Sequence, residues 1–258
     1  MKLEKKLCKV MCLALITTCM AIKANAAFAN YTIGNGGLET FTGSFDGAAI
    51  DGGAGFYAGG IQITGGGPGL PGSYTTVCTD LGGTIYLGNN YGYSAPTLFS
   101  ASTGLSPAWG YSPAAAPAAI ENAAYIFYNN GNVLNGTDNS AKAGLQLAVW
   151  EALYDTGNPN ASLNVGTSAG SRFQITSGDS VAIADANSYL EGLTGNYNYQ
   201  GYLLVPDPTI QYGLTAQELL IGAGDFSPVP EPATYGSFAA AGLLLVSLRS
   251  GLCRKQAC

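Results

Sequence analysis

Between residues 31 and 110, apolar and polar positions alternate in short runs broken by glycine and proline. The runs at 41–45, 56–63, 74–79 and 84–87 each predict a strand bounded by turns. The period then lengthens. Residues 118–128, 140–154 and 179–190 repeat their apolar positions at helical spacing, and Ser177 or Asp179 is available to cap the third helix. An Asn/Gly-rich stretch, 129–139, separates the first two. Strand character returns at 202–205 and 219–221. Strands first, an inserted block of about three helices, and closing strands predict an α+β fold built on an antiparallel sandwich or barrel-like part.

The second helix is apolar on nearly every face. Leu145, Leu147 and Val149 surround Gln146 and Trp150, which lie one turn apart on the same side. A helix apolar all round is a buried helix. Gln146 is therefore expected in the core, where a carboxamide needs partners.

The two ends follow another pattern. Lys2, Lys5, Lys6 and Lys9 precede an apolar run, 11–22, that is too short for a comfortable membrane span. Ala24-Asn25-Ala26 then supplies a small-x-small cleavage pattern. A signal peptide over 1–26, removed by signal peptidase after Ala26, is expected. Cys12 and Cys19 lack the small preceding residue of lipoprotein processing. At the other end, Val229-Pro230-Glu231-Pro232 precedes an apolar segment, 234–248, and then Arg249, Arg254 and Lys255. The prolines end any preceding fold. The apolar segment reads as a transmembrane helix, with its basic end held in the cytoplasm. This leaves one domain, 27–227, between a signal helix and a tail, 228–258.

Charge sharpens the picture. Lys142 and Arg172 are the only basic residues in 27–227, against fourteen Asp and Glu, a formal charge of −12. Binding to nucleic acid through phosphate neutralisation is excluded. The chain has no His. Ser-His-Asp and Cys-His catalysis and His-based zinc sites are excluded with it. Glu151 and Asp155 lie one helical turn apart and could suggest glycosidase chemistry. Adjacent surface carboxylates on an acidic helix are the commoner arrangement. Asn129, Asn130, Asn132, Asp138 and Asn139 offer oxygens without EF-hand spacing, and read as a polar loop. No metal site and no cofactor is expected.

Of six cysteines, Cys8, Cys12 and Cys19 leave with the leader and Cys253 and Cys258 lie in the tail. Cys78 stands alone in the exported domain. A lone cysteine in an oxidising compartment is paired with another chain, buried and inert, or chemically committed within its own domain. A thiol and a carboxamide can condense to a thioester with loss of ammonia, giving an activated acyl group that burial protects. Cys78 and Gln146 are the candidates for such a pair.

Two resemblances follow from these residues. The last thirty residues resemble the PEP-CTERM sorting signal, which implies recognition by an exosortase at the surface of a Gram-negative, exopolysaccharide-producing bacterium. This tail departs from the compact terminal Arg cluster of that family, continuing to Cys258. Cys78 in Tyr74-Thr-Thr-Val-Cys-Thr-Asp-Leu81, with Gln146-Leu-Ala-Val-Trp150, resembles the Cys-Gln thioester domain of bacterial surface adhesins. That resemblance implies a Cys78–Gln146 bond, Trp150 packed around it, and stoichiometric capture of an amine- or hydroxyl-bearing ligand rather than enzymatic turnover. The alternative is a noncovalent structural or binding protein of the biofilm matrix with Cys78 inert.

Overall fold

The computed structural model describes residues 29–66, 72–81, 83–93, 97–98, 116–158, 162–166, 169–191, 193, 201–206 and 217–221. The leader with Ala24 and Ala26, and the tail with Val229, Pro230, Glu231 and Pro232, lie outside the described residues. Among the described residues no helix is long and apolar enough to cross a membrane.

The fold is α+β, with an antiparallel sheet and a block of helices. Among the described residues there are nine strands: β1 (Ala29–Phe45), β2 (Ala48–Ala49), β3 (Phe56–Gly66), β4 (Ser73–Cys78), β5 (Asn90–Tyr93), β6 (Thr97–Leu98), β7 (Phe173–Ser177), β8 (Tyr202–Leu204) and β9 (Leu219–Ile221). The sheet runs β2-β1-β3-β4-β9-β8-β6, and β5 and β7 also pair with β1. Among the described residues three α-helices accompany it: α1 (Ala116–Asn130), α2 (Asn139–Asp155) and α3 (Ser180–Leu190).

The long β1 organises the domain. Against β3 it pairs from Asn30 to Phe41 with a register shift between Asn35 and Leu38. Gly37 sits in this bulge at φ +113°, where a side chain would be strained. The bulge divides the other edge of β1 between partners. Ala29–Thr32 pairs with β5, whereas Thr42–Phe45 pairs with β7.

Helix α2 is the centre of the core. Every residue from Lys142 to Asp155 is buried, as its all-round apolar pattern predicts. It packs on α1, α3 and the β1–β3 pair. At Gly144 a Cβ would lie 2.8 Å from the Asp185 Cβ and 2.9 Å from the Ala182 carbonyl oxygen, so glycine sets the approach of α3. Asp138 caps α2 by accepting from the Ala141 N–H, and Asp179 caps α3 by accepting from the Val181 N–H.

Three expectations change. Residues 84–87 form no strand; the pairing strand is β5, a few residues later. The helical block is interrupted, because β7 returns to β1 between α2 and α3. Glu151 and Asp155 are not surface groups: they are 0% and 2% exposed.

Candidate functional site

The site is built where β4 ends. Cys78 is the last residue of that strand, and β4 pairs with β3 only over Ser73–Thr76. On its other edge, Val77 and Cys78 pair with Leu220 and Leu219 of β9. The next N–H, of Thr79, donates to the Glu218 carbonyl at 3.0 Å. Successive N–H groups in a strand point to opposite edges, so the Cys78 N–H faces the side that β3 has already left.

Gln146 fills that missing rung. The Cys78 N–H donates to Gln146 Oε1 at 2.6 Å, and Gln146 Nε2 donates to the Cys78 carbonyl at 2.7 Å. The carboxamide acts as one residue of a neighbouring strand, and both its functions are used. Two turns along α2, Tyr154 does the same for the following segment. Its hydroxyl donates to the Thr79 carbonyl at 3.0 Å and accepts the Leu81 N–H at 3.3 Å. Gln146, Trp150 and Tyr154 lie at i, i+4 and i+8, so one face of a buried helix holds the backbone around the cysteine.

The sulfur itself meets another residue. Cys78 Sγ donates to Gln217 Oε1 at 2.6 Å, closer than a thiol hydrogen bond ordinarily comes. Gln217 precedes β9. Its Nε2 donates to the Asp80 carbonyl at 2.9 Å, and its own carbonyl accepts from the Tyr93 hydroxyl at 3.2 Å. Both ends of the carboxamide are thereby fixed. Since a C=O bond is about 1.23 Å long, the Gln217 Cδ is no farther than about 3.8 Å from the sulfur. Cys78 and Leu219 are cross-strand partners, and Gln217 lies two residues before Leu219, so alternation puts Gln217 on the face that carries the sulfur.

The structure thus brings both glutamines to Cys78, in different roles: Gln146 to its backbone and Gln217 to its sulfur. In the sequence Gln146 stands out within its apolar helix, and Gln217 is not among the candidates. A usable signal was present in Gln217-Glu-Leu-Leu-Ile221, a glutamine two residues ahead of an apolar strand that pairs with the cysteine strand. Trp150 packs edge-on against Phe56 and Phe173, with ring centroids 5.9 and 6.0 Å away. These contacts tie α2 to β3 and β7.

Electrostatics keep the thiol protonated. Burial pushes the Cys78 thiol well above its ordinary range, and the Asp80 carboxylate adds to the shift. Glu218 is raised to about 7, again mainly by burial and then by Asp80. Alternation places Glu218 on the face opposite the sulfur. Glu151 is raised to about 9 by burial, with Asp155 adding to it. One of its oxygens accepts the Asn164 N–H at 2.9 Å. Asp155 accepts the N–H groups of Arg172 and Phe173 at 2.8 and 2.9 Å. This buried carboxylate pair holds the connection into β7. Among the described residues no group of three or more His, Cys, Asp or Glu could hold a metal ion. Comparison with protein-family models, with curated proteins and with solved structures finds no match to this chain.

Proposed function

We propose that the chain is an exported, surface-sorted protein that captures its ligand covalently through an internal thioester, and that the acyl partner of Cys78 is Gln217. The observation that carries this reading is the 2.6 Å approach of the buried Cys78 Sγ to Oε1 of the half-buried Gln217, whose Nε2 is held by the Asp80 carbonyl. The sulfur forms a bond to Cδ, the Cδ–Nε2 bond breaks, and the thiol proton leaves with the nitrogen as ammonia. Fixed geometry favours such a step, because both groups are already ordered before reaction. An amine then attacks the same carbon, giving an amide at position 217 and regenerating the Cys78 thiol. A hydroxyl gives an ester. Each molecule reacts once, so the protein is not an enzyme. In this reading Gln146 and Tyr154 are positioning residues.

Intact mass and methylamine labelling test it. The protein is expected to be lighter than its sequence, after any leader cleavage, by one ammonia, and Cys78→Ala and Gln217→Ala are expected to show full mass. Fragmentation should place a methylamide at 217. A methylamide at 146 would return the acyl role to Gln146, and full mass with a titratable thiol would defeat the covalent reading. That last outcome would favour the alternative, a noncovalent matrix protein with an inert thiol, which the burial of Cys78 supports (2% exposed).

Export and sorting rest on the sequence. Cleavage by signal peptidase after Ala26, and recognition of Val229, Pro230, Glu231 and Pro232 by an exosortase, would deliver the domain to the surface or matrix of a Gram-negative bacterium, with 234–248 as a transient transmembrane helix. Replacing Pro230-Glu231-Pro232 by alanines is expected to leave the protein in the inner-membrane fraction; unchanged surface delivery would exclude the sorting role. A sandwich-like arrangement is the finer reading of the sheet, supported by the division of β1 between β5 and β7.

A further inference from the structure

A cleft of about 600 Å³ opens beside the β1 bulge, within the range of small-ligand sites. Asn35 lines it from the bulge, Gln62 and Thr75 from a cross-strand pair of β3 and β4, Asn135 from the end of the short 3-10 helix (Gly131–Asn135) before α2, and Asn139 and Lys142 from the first turn of α2. The lining holds carboxamides, hydroxyls and one ammonium, and no carboxylate.

Lys142 is the group that points to a ligand. It is 7% exposed, and its ammonium donates to the Gly36 carbonyl at 2.6 Å. An ammonium has three N–H donors. Among the described residues the one ion pair joins Arg172 to Asp46, so Lys142 has no carboxylate partner there. A buried cation is costly without one. In a domain with fourteen acidic residues, this cleft is where a single anionic group would find a basic side chain without an ion-pair partner among the described residues.

We propose that the cleft binds a carboxylate-bearing sugar, with Lys142 taking the carboxylate and the carboxamides taking ring hydroxyls. A hydroxyl both donates and accepts, as does a carboxamide, so four carboxamides suit a polyol better than a bare anion. A densely charged polyanion is disfavoured by the domain's −12 formal charge. One charge per ring, placed against Lys142, is not: screening confines repulsion from distant carboxylates to about 8 Å at physiological salt. Thr75 and Cys78 are three residues apart on β4 and lie on opposite faces, so the site does not depend on the Cys78–Gln217 pair.

Calorimetric titration of the full chain in mild detergent tests this, with digalacturonate, a neutral disaccharide (lactose) and acetate as probes. Digalacturonate is expected to bind about tenfold or more tightly than lactose or acetate. Lys142→Gln should abolish that preference, Gln62→Ala should weaken both sugars, and Cys78→Ala should change neither. Absence of digalacturonate binding, equal binding of lactose or of acetate, or an unchanged preference in a folded Lys142→Gln protein would each overturn the proposal. Because the Cys78→Ala protein keeps the cleft, failure here and failure of the thioester reading are separate results.

Discussion

At the scale of single residues, two glutamines divide the work that the sequence assigned to one. Gln146 spends its donor and its acceptor on the backbone of Cys78, so removing it strands a buried N–H and a buried carbonyl. Gln146→Ala is expected to cost about 2–4 kcal/mol in urea unfolding. Gln217→Ala leaves those groups paired, and is expected to cost less while abolishing ammonia loss outright. A mass measurement beside the unfolding curve separates the roles: Gln146→Ala should retain partial ammonia loss, at a level set by how well the end of β4 stays in place. The local sequence did not decide which glutamine meets the sulfur. Gln146 stood in a strong helical pattern, whereas Gln217 stood before a strand of only three residues.

At the scale of elements, α2 has two faces with separate tasks. The face carrying Gln146 and Tyr154 holds the cysteine segment, and Gly144 admits α3. Gly144→Val is expected to lower stability by about 1–3 kcal/mol or more, because even a Cβ there meets backbone and side chain of α3 below 3.0 Å. A rise in thermal midpoint would refute that packing. Tyr154→Phe keeps the ring against Phe45, at a centroid distance of 5.2 Å, and removes both bonds to 79–81. Its expected cost is about 1–2 kcal/mol. If the thioester forms, its hydrolysis rate should rise, read as return of a titratable thiol.

At the scale of the whole molecule, acidity governs stability. Glu151 has a folded pKa near 9 and Glu218 one near 7, both above the usual carboxylate value. Such groups bind more protons in the folded state. Their contribution is fully present below about pH 4 and is lost as pH rises through the folded values. Asp46 and Asp179 act oppositely. Arg172 lowers the first, and the Ser140 hydroxyl and α3 N–H groups lower the second. Their contribution is lost only as pH falls below the usual carboxylate range. The thermal midpoint is therefore expected to peak in mild acid and to decline from about pH 5 to 9. Glu151→Gln should flatten the decline, and an unchanged slope would show that Glu151 is not its source.

The sequence alone determined the α+β class, helices α1, α2 and α3 and the burial of α2, because these rest on periodicity within one segment. It also marked Cys78 as the lone cysteine between residues 27 and 227. The tertiary structure decided which carboxamide meets the sulfur, because that depends on β9 pairing with β4 across a long stretch of chain. It likewise decided that Glu151 and Asp155 are buried, since the segments that follow α2 pack over them and present backbone N–H groups to Glu151 Oε1 and to Asp155. Local pattern fixes which side chains an element must bury; only the pairing of distant strands fixes what they touch.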